Sequence, residues 1–298
     1  MEPKTQLLAF SPIIAGCMKW GEWGAKYDTA TIGNLIRECL DLGVSTFDHA
    51  DIYGHYTTEA DFGKALGQSP SLRSRMQLIT KCGICMVTPN RPAHRIKSYN
   101  TSREHIIASA ERSLQNLHTD HIDLLLIHRP DPLLHPQEIA EAFLQLQQSG
   151  KVLQFGVSNF APSQAALIHA VWPLYTNQLE VSAAHLQPFH DSSLDHCLQH
   201  KIIPTAWSPL GSGSIFQDDP DEKAQRILAV ARLLGEQYGL SADQVLLAFL
   251  QTHPSGILPV LGTSRKERIT AAYANRNNRL TREEWFMIWR AATGHEVA

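Results

Sequence analysis

Short apolar runs alternate along the chain with longer segments whose apolar residues recur every three or four positions. The runs SPIIAG, STFDHA, MQLITK, IDLLLIH, VLQFGVS, LYTNQLEV, IIPTAW and GILPVLG read as strands. IDLLLIH does not alternate, as expected of a strand buried on both faces. The intervening segments read as helices. Thr31–Leu42 places Ile32, Leu35, Ile36, Cys39 and Leu40 on one face and stops at Gly43. Further helices are predicted at Glu59–Leu66, Thr101–Leu117, Glu138–Gln148, Pro162–Ala170, Ser193–His200, Ala224–Tyr238, Ser241–Thr252 and Lys266–Ala274. A last one begins at TREEWFMIW. TSRE offers a capping box from Thr101 to Glu104, and TREE offers another from Thr281 to Glu284.

About eight strand–helix units in 298 residues fit an α/β fold, a closed (β/α)8 TIM barrel with additional helices. Residues 1–298 then form one domain, with no Ser/Gly-rich linker or low-complexity stretch. An open doubly wound sheet is the competing architecture. The irregular segments GICMVTPNRPAHRIKSYN and LGSGSIFQDDPDE both follow strands, so both belong on the C-terminal rim of a barrel.

Composition narrows the partners. Hydrophobic residues make up 43% of the chain, enough for a sizeable core, and the net charge of -3 is mixed throughout. That balance argues against nucleic acid or an anionic membrane as partner. No apolar run approaches the ~18 residues that span a bilayer. MEPKTQLLAF lacks a basic segment followed by an apolar one, so no secretory signal is expected. Cys17, Cys39, Cys82, Cys85 and Cys197 are odd in number and scattered, which suits a reducing cytoplasm. Cys82 and Cys85 form a C-x-x-C without a second pair and run into a Pro-containing loop, so neither a metal nor a redox role is expected. The 15 His are dispersed, without H-E-x-x-H.

In a barrel the C-terminal strand ends converge on one mouth. The second strand ends at Asp48, with Tyr53 in the loop beyond it; the third ends at Lys81 and the fourth at His128. Each residue has a plain structural reading: a solvated strand-end acid, a packed aromatic with a wet hydroxyl, an exposed lysine, a core histidine. Their occurrence at consecutive strand ends favours a reaction site. GSGSIF lacks the third glycine of a dinucleotide fingerprint and runs into acidic QDDPDE, which excludes a Rossmann reading.

FDHADIYG, ITKCG, LLIHRPDP, GKVLQFGVSNF and TNQLEV come in the order of, and resemble, the motifs of the aldo-keto reductase superfamily, in particular its bacterial YdhF-type branch. The resemblance implies a catalytic tetrad of Asp48, Tyr53, Lys81 and His128 and an extended NADP(H) across the mouth. It implies that Ser158, Asn159 and Gln178 hold the nicotinamide amide, with Trp207 where the family usually has Tyr against the ring. Gly16, Cys17 and Met18 would border the nicotinamide, and Ser208, Leu210 and Gly211 would wrap the pyrophosphate. Gly262, Thr263, Ser264, Arg265 and Arg268, with Lys266, would receive the 2′-phosphate. For VSNF alone, a helix cap before APSQAALI is the alternative. The chain departs from the pattern in GHYTT, longer than usual, and in Ala271 and Ala272 at the adenine positions.

The expected activity is reduction of a small-molecule carbonyl, and a monomer is compatible with it. Tyr53 would donate the proton, its pKa lowered by Lys81; Asp48 would keep Lys81 charged, and His128 would orient the substrate oxygen. Two alternatives stand beside it: a barrel enzyme forming a Schiff base on Lys81, and a cofactor-binding regulatory subunit of the kind that partners channels.

Overall fold

The computed structural model describes residues 8–298. The reading of MEPKTQLLAF falls mostly on residues 1–7, outside those described. Eight parallel strands close into a barrel: Ile14–Gly16, Thr46–Asp48, Gln77–Cys82, Ile122–Ile127, Val152–Ser158, Thr176–Glu180, Ile203–Trp207 and Leu258–Leu261. Each pairs with the next in chain order, and the eighth returns to the first through Ile14 opposite Val260. The open doubly wound sheet is thereby excluded. Among the described residues no helix is long and apolar enough to cross a membrane.

Strand periodicity sorts the side chains into two compartments. Ile14, Ile79, Leu124, Leu126 and Val260 pack together inside the barrel. Their neighbours Ile13, Ala15, Phe47, Leu78 and Leu261 face outward, onto Ile32, Leu35, Ile36, Phe62 and Leu66 of the surrounding helices. Asp48, Lys81 and His128 share the parity of the inward set, so they sit above its apolar plug, at the mouth.

The helices follow the predicted pattern with shifted starts. The first runs Thr29–Leu42 because Asp28 accepts the Thr31 N–H and caps it. Thr281 and Glu284 make the expected capping box. The expected box at Thr101 does not form. Ser102 is the N-cap, accepting from the His105 N–H, while the Thr101 hydroxyl donates to Asp131. The irregular segment after the third strand holds a two-stranded antiparallel ribbon, Ile84–Cys85 against Ser98–Tyr99, that the pattern did not announce.

Two glycines test how tightly barrel and helices are packed. A Cβ at Gly63, in the helix Thr58–Gly67, would lie 1.8 Å from the Asn116 carbonyl oxygen of the neighbouring helix Arg103–Leu117. A Cβ at Gly33, mid-helix in Thr29–Leu42, would meet nothing closer than 3.6 Å. Gly63→Ala should therefore cost about 1–3 kcal/mol by overpacking, whereas Gly33→Ala should stabilise by about 0.4–1 kcal/mol. Denaturant melts of both variants check this; equal effects would contradict the close helix contact.

Candidate active site

The backbone ladder continues past several strand ends and pins the first loop residues. His49 N–H donates to Ile79 O, Asp51 N–H to Lys81 O, His128 N–H to Cys82 O and Asn159 N–H to Gln178 O. The side chains at the mouth are thus held by the sheet itself rather than by free loops.

At the centre Lys81, 1% exposed, directs its ammonium at three acceptors: Asp48 Oδ2 at 2.7 Å, the His49 carbonyl at 2.7 Å and Tyr53 Oη at 3.1 Å. An ammonium has three N–H bonds, so all are used. Asp48 turns its other oxygen, Oδ1, to Gln178 Nε2 at 2.8 Å. Burial pulls the Lys81 pKa down, but Asp48 and Tyr53 beside it outweigh burial and hold it above its usual value. Lys81 therefore stays an ammonium, which makes it a poor Schiff-base nucleophile.

For Tyr53 the balance runs the other way from the expectation. Burial raises the phenol, and Lys81 and Arg129 offset only part of that, so its net pKa lies above the ordinary tyrosine value. The ring sits in an apolar wall with Trp23, Met86, Ile52 and Ile84. Because Lys81 donates to Oη, the phenolic hydrogen is left to point into the mouth. His128 crosses the Tyr53 ring edge-on at 6.1 Å between centroids. It is buried, and its Nδ1 has no hydrogen-bond partner. Burial, then Lys81 and Arg129, hold its pKa well below the ordinary histidine value, so it is a neutral imidazole.

The loop presenting Tyr53 is strained. Gly54, His55 and Tyr56 are consecutively left-handed, at φ 58°, 56° and 71°. For His55 and Tyr56, which carry side chains, this costs of order 1–3 kcal/mol each and persists only where the surroundings enforce it. The segment after the third strand does so. Tyr56 Oη donates to Ile84 O at 3.1 Å and accepts from Met86 N–H at 2.9 Å. Asn90 Nδ2 donates to His55 O, and Arg91 stacks 4.3 Å over the Tyr56 ring. The unusual GHYTT is thus clamped to the rim.

On the other side of the mouth, Ser158 Oγ donates to Gln178 O and accepts from Asn159 Nδ2 at 2.8 Å. Asn159 Oδ1 accepts from Trp207 Nε1 at 3.0 Å. Asn159 is itself left-handed, at φ 59°, and the following helix, Pro162–His169, has Ala161 as its N-cap, so neither Ser158 nor Asn159 is the cap that VSNF alone suggested. Arg129, which the sequence reading passed over although it follows His128 directly, lies between the two halves. Its Nη1 donates to His128 O at 3.0 Å and to Ser158 Oγ at 3.4 Å, and the guanidinium lies 5.7 Å from the Trp207 ring centroid. Trp23, 6.1 Å from Tyr53, was passed over as well.

The remaining candidates divide. Gly16 has no room for a Cβ, which would lie 2.7 Å from Leu261 O where the barrel closes. Cys17 turns its thiol outward into the helix-facing core, toward Ala15 O, so only its backbone faces the mouth; Met18 is half-buried. Beyond Trp207, Ser208, Gly211, Ser212 and Gly213 are all left-handed, and Leu210 lies among them. Gly262, Thr263 and Ser264 lead into the helix Lys266–Ala274, whose N-cap, Arg265, makes no side-chain capping bond. Lys266 pairs with Glu38 at 2.7 Å on the surface. Arg265 and Arg268 are exposed and form no ion pair among the described residues. Cys82 and Cys85 are buried free thiols.

Residues 12–292 match the aldo/keto reductase family. Over 292 residues the chain is 47% identical to an uncharacterized oxidoreductase, YcsN of Bacillus subtilis strain 168, covering 97% of each. It is 46% identical to the oxidoreductase YdhF of Escherichia coli K12, covering 97% of this chain and 95% of that one. Its fold superposes on an aldo-keto reductase from Klebsiella pneumoniae in complex with NADPH, with a TM-score of 0.76 and 24% identity over 94% of this chain and 90% of that one. Family match, barrel and overall similarity agree: this chain is an oxidoreductase of the aldo/keto reductase family.

Proposed function

We propose that the chain reduces aldehyde or ketone groups of small molecules with NADPH, Tyr53 donating the proton. One observation carries the reading: a buried Lys81 ammonium joins Asp48 to Tyr53, next to a neutral His128. When bound, NADPH supplies the hydride that goes to the carbonyl carbon. The residues supply the rest. Tyr53, protonated across the neutral range, offers its hydrogen to the carbonyl oxygen as negative charge develops there. Lys81, donating to the same phenolic oxygen, stabilises that oxygen once the proton has left. Neutral His128 can donate a second hydrogen bond and set the carbonyl's orientation. Asp48 keeps Lys81 charged and in place.

The residues present fit NADPH. Ser158, Asn159 and the Gln178 backbone form a polar cradle of donors and acceptors suited to a carboxamide. Consecutive left-handed residues after Trp207 make a backbone concavity of the kind that holds phosphate oxygens. The uncapped helix start at Arg265, with Arg268 in its first turn, suits a further phosphate. The buried free thiols support a cytoplasmic setting.

The proton-donor role is tested by Tyr53→Phe. Reduction of a panel of small aldehydes and ketones, followed by NADPH absorbance, should fall by about 10²–10⁴-fold. NADPH affinity, read by fluorescence titration, should be retained. Near wild-type turnover in the variant would remove Tyr53 from the mechanism. Tight NADPH binding by wild type without any turnover would instead favour the regulatory reading.

Cofactor choice is tested at Arg268. Arg268→Ala should weaken NADPH binding by about 10–150-fold, the worth of about 1.5–3 kcal/mol for a charge-assisted hydrogen bond, and leave NADH binding nearly unchanged. Equal losses for both cofactors, or a wild-type preference for NADH, would overturn the assignment.

A further inference from the structure

Arg129 is a cation at the reaction centre to which the mechanism above gives no contact with the substrate. It is half-buried at the mouth, next to His128 and within electrostatic reach of Tyr53, Tyr99 and Glu180. No carboxylate among the described residues lies within ion-pair distance of it. Nη1 holds His128 O and Ser158 Oγ; Nε and Nη2 have no protein partner among the described residues. Two of the guanidinium's fork of donors are thus uncommitted beside the catalytic tyrosine and histidine. A partly desolvated guanidinium that feels Glu180 without pairing with it is incompletely compensated, and an arriving anion would improve its situation.

A second observation has the same sign. The rim segment 83–100, which clamps the Tyr53 turn, contains Arg91, Arg95 and Lys97 and no Asp or Glu. Arg95 and Lys97 are exposed, and Tyr99 at the end of the segment lies within electrostatic reach of Arg129. The cations assigned to the cofactor phosphate, Arg265 and Arg268, follow the eighth strand and are a separate set. The segment thus brings three cations and no acid of its own next to the strand end that bears Arg129; Arg91 also lies within electrostatic reach of the buried Asp51 and Glu59, which leaves the exposed Arg95 and Lys97 to attract anions.

We propose that Arg129 is a specificity-determining residue that selects carbonyl substrates carrying a carboxylate a few bonds from the carbonyl, with the basic rim segment steering them in. The proposal rests on the carbonyl-reductase reading and deepens it. A carboxylate matches the planar guanidinium fork in a bidentate arrangement. Binding it through Arg129 would bring the carbonyl at the other end of a short chain toward Tyr53 Oη and His128. Hydride and proton then go to the carbonyl carbon and oxygen as for any aldehyde, and the carboxylate is unchanged.

The test compares 4-oxobutanoate with its methyl ester, and with neutral, hydroxylated glyceraldehyde, on the wild-type protein with NADPH, on Arg129→Met and on Arg129→Lys. Wild type should favour 4-oxobutanoate over the ester by about 10–150-fold in kcat/KM, the worth of a charge-assisted bond. In Arg129→Met that ratio should collapse toward one, the loss falling on KM. Arg129→Lys should restore part of it, and the wild-type ratio should shrink with added salt. NADPH affinity should be the same in all three proteins. Equal or better wild-type turnover of the ester or glyceraldehyde would overturn the proposal. So would an equal kcat loss for both substrates in Arg129→Met, which would mark Arg129 as a support for His128 and Ser158, and so would a change in NADPH affinity. If none of the three carbonyls oxidises NADPH, nor any other in the panel, it is the carbonyl-reductase reading that has failed instead.

Discussion

A lysine ammonium buried beneath the mouth is the constraint on which the site depends. Even after relaxation, taking such a charge out of water costs several kcal/mol. At 1% exposure, Lys81 is tolerated because three acceptors meet its three N–H bonds. Each acceptor is fixed in turn. Asp48 ends the second strand, the His49 carbonyl belongs to a residue still in the strand ladder, and Tyr53 stands on the turn beyond them. Satisfying the lysine therefore positions the phenol.

The same bonding spreads across the barrel. Asp48 reaches Gln178 on the sixth strand, whose carbonyl holds Ser158 on the fifth; Asn159 bonds both Ser158 and Trp207 on the seventh. On the opposite flank the left-handed turn Gly54–Tyr56 is clamped by the ribbon segment. A rigid sheet thus carries Asp48, Lys81, Ser158 and Gln178, and the loops add Tyr53 and the walls. That division is what lets a barrel mouth host reactions while its apolar plug supplies stability.

Much of this was legible from the chain because the strand period dictates which residues share a face. Asp48, Lys81 and His128 could be placed together from the apolar runs they terminate. Cys17 shows the same rule working against the reading: one residue past Gly16, it has the opposite parity and faces the helices. Gln178 was expected to serve a ligand amide, but its bond to Asp48, 130 residues away, depends on barrel closure and leaves no local trace. The rise in the Tyr53 pKa was hidden too, since it comes from burial under Trp23, Met86 and Ile84, which are remote in sequence. Ser102 rather than Thr101 caps its helix because Asp131 takes the Thr101 hydroxyl, and adjacent hydroxyls cannot be told apart by pattern. Arg129 was in plain view beside His128; what distinguishes it is the lack of a carboxylate partner, which only the fold reveals.

The central claim is that burial holds Tyr53 protonated while Lys81 partly offsets burial. Its most direct test is the titration of Tyr53 by NMR of protein labelled at the tyrosine ring carbon bearing the hydroxyl, with Tyr53→Phe giving the assignment. The account predicts that the wild-type Tyr53 resonance remains mainly in its phenol position at pH ~10, where an ordinary tyrosine is half ionised, and that Lys81→Met moves its titration higher still. A Tyr53 that ionises below that pH in wild type, or one whose titration moves down or stays put when Lys81 is removed, would contradict it.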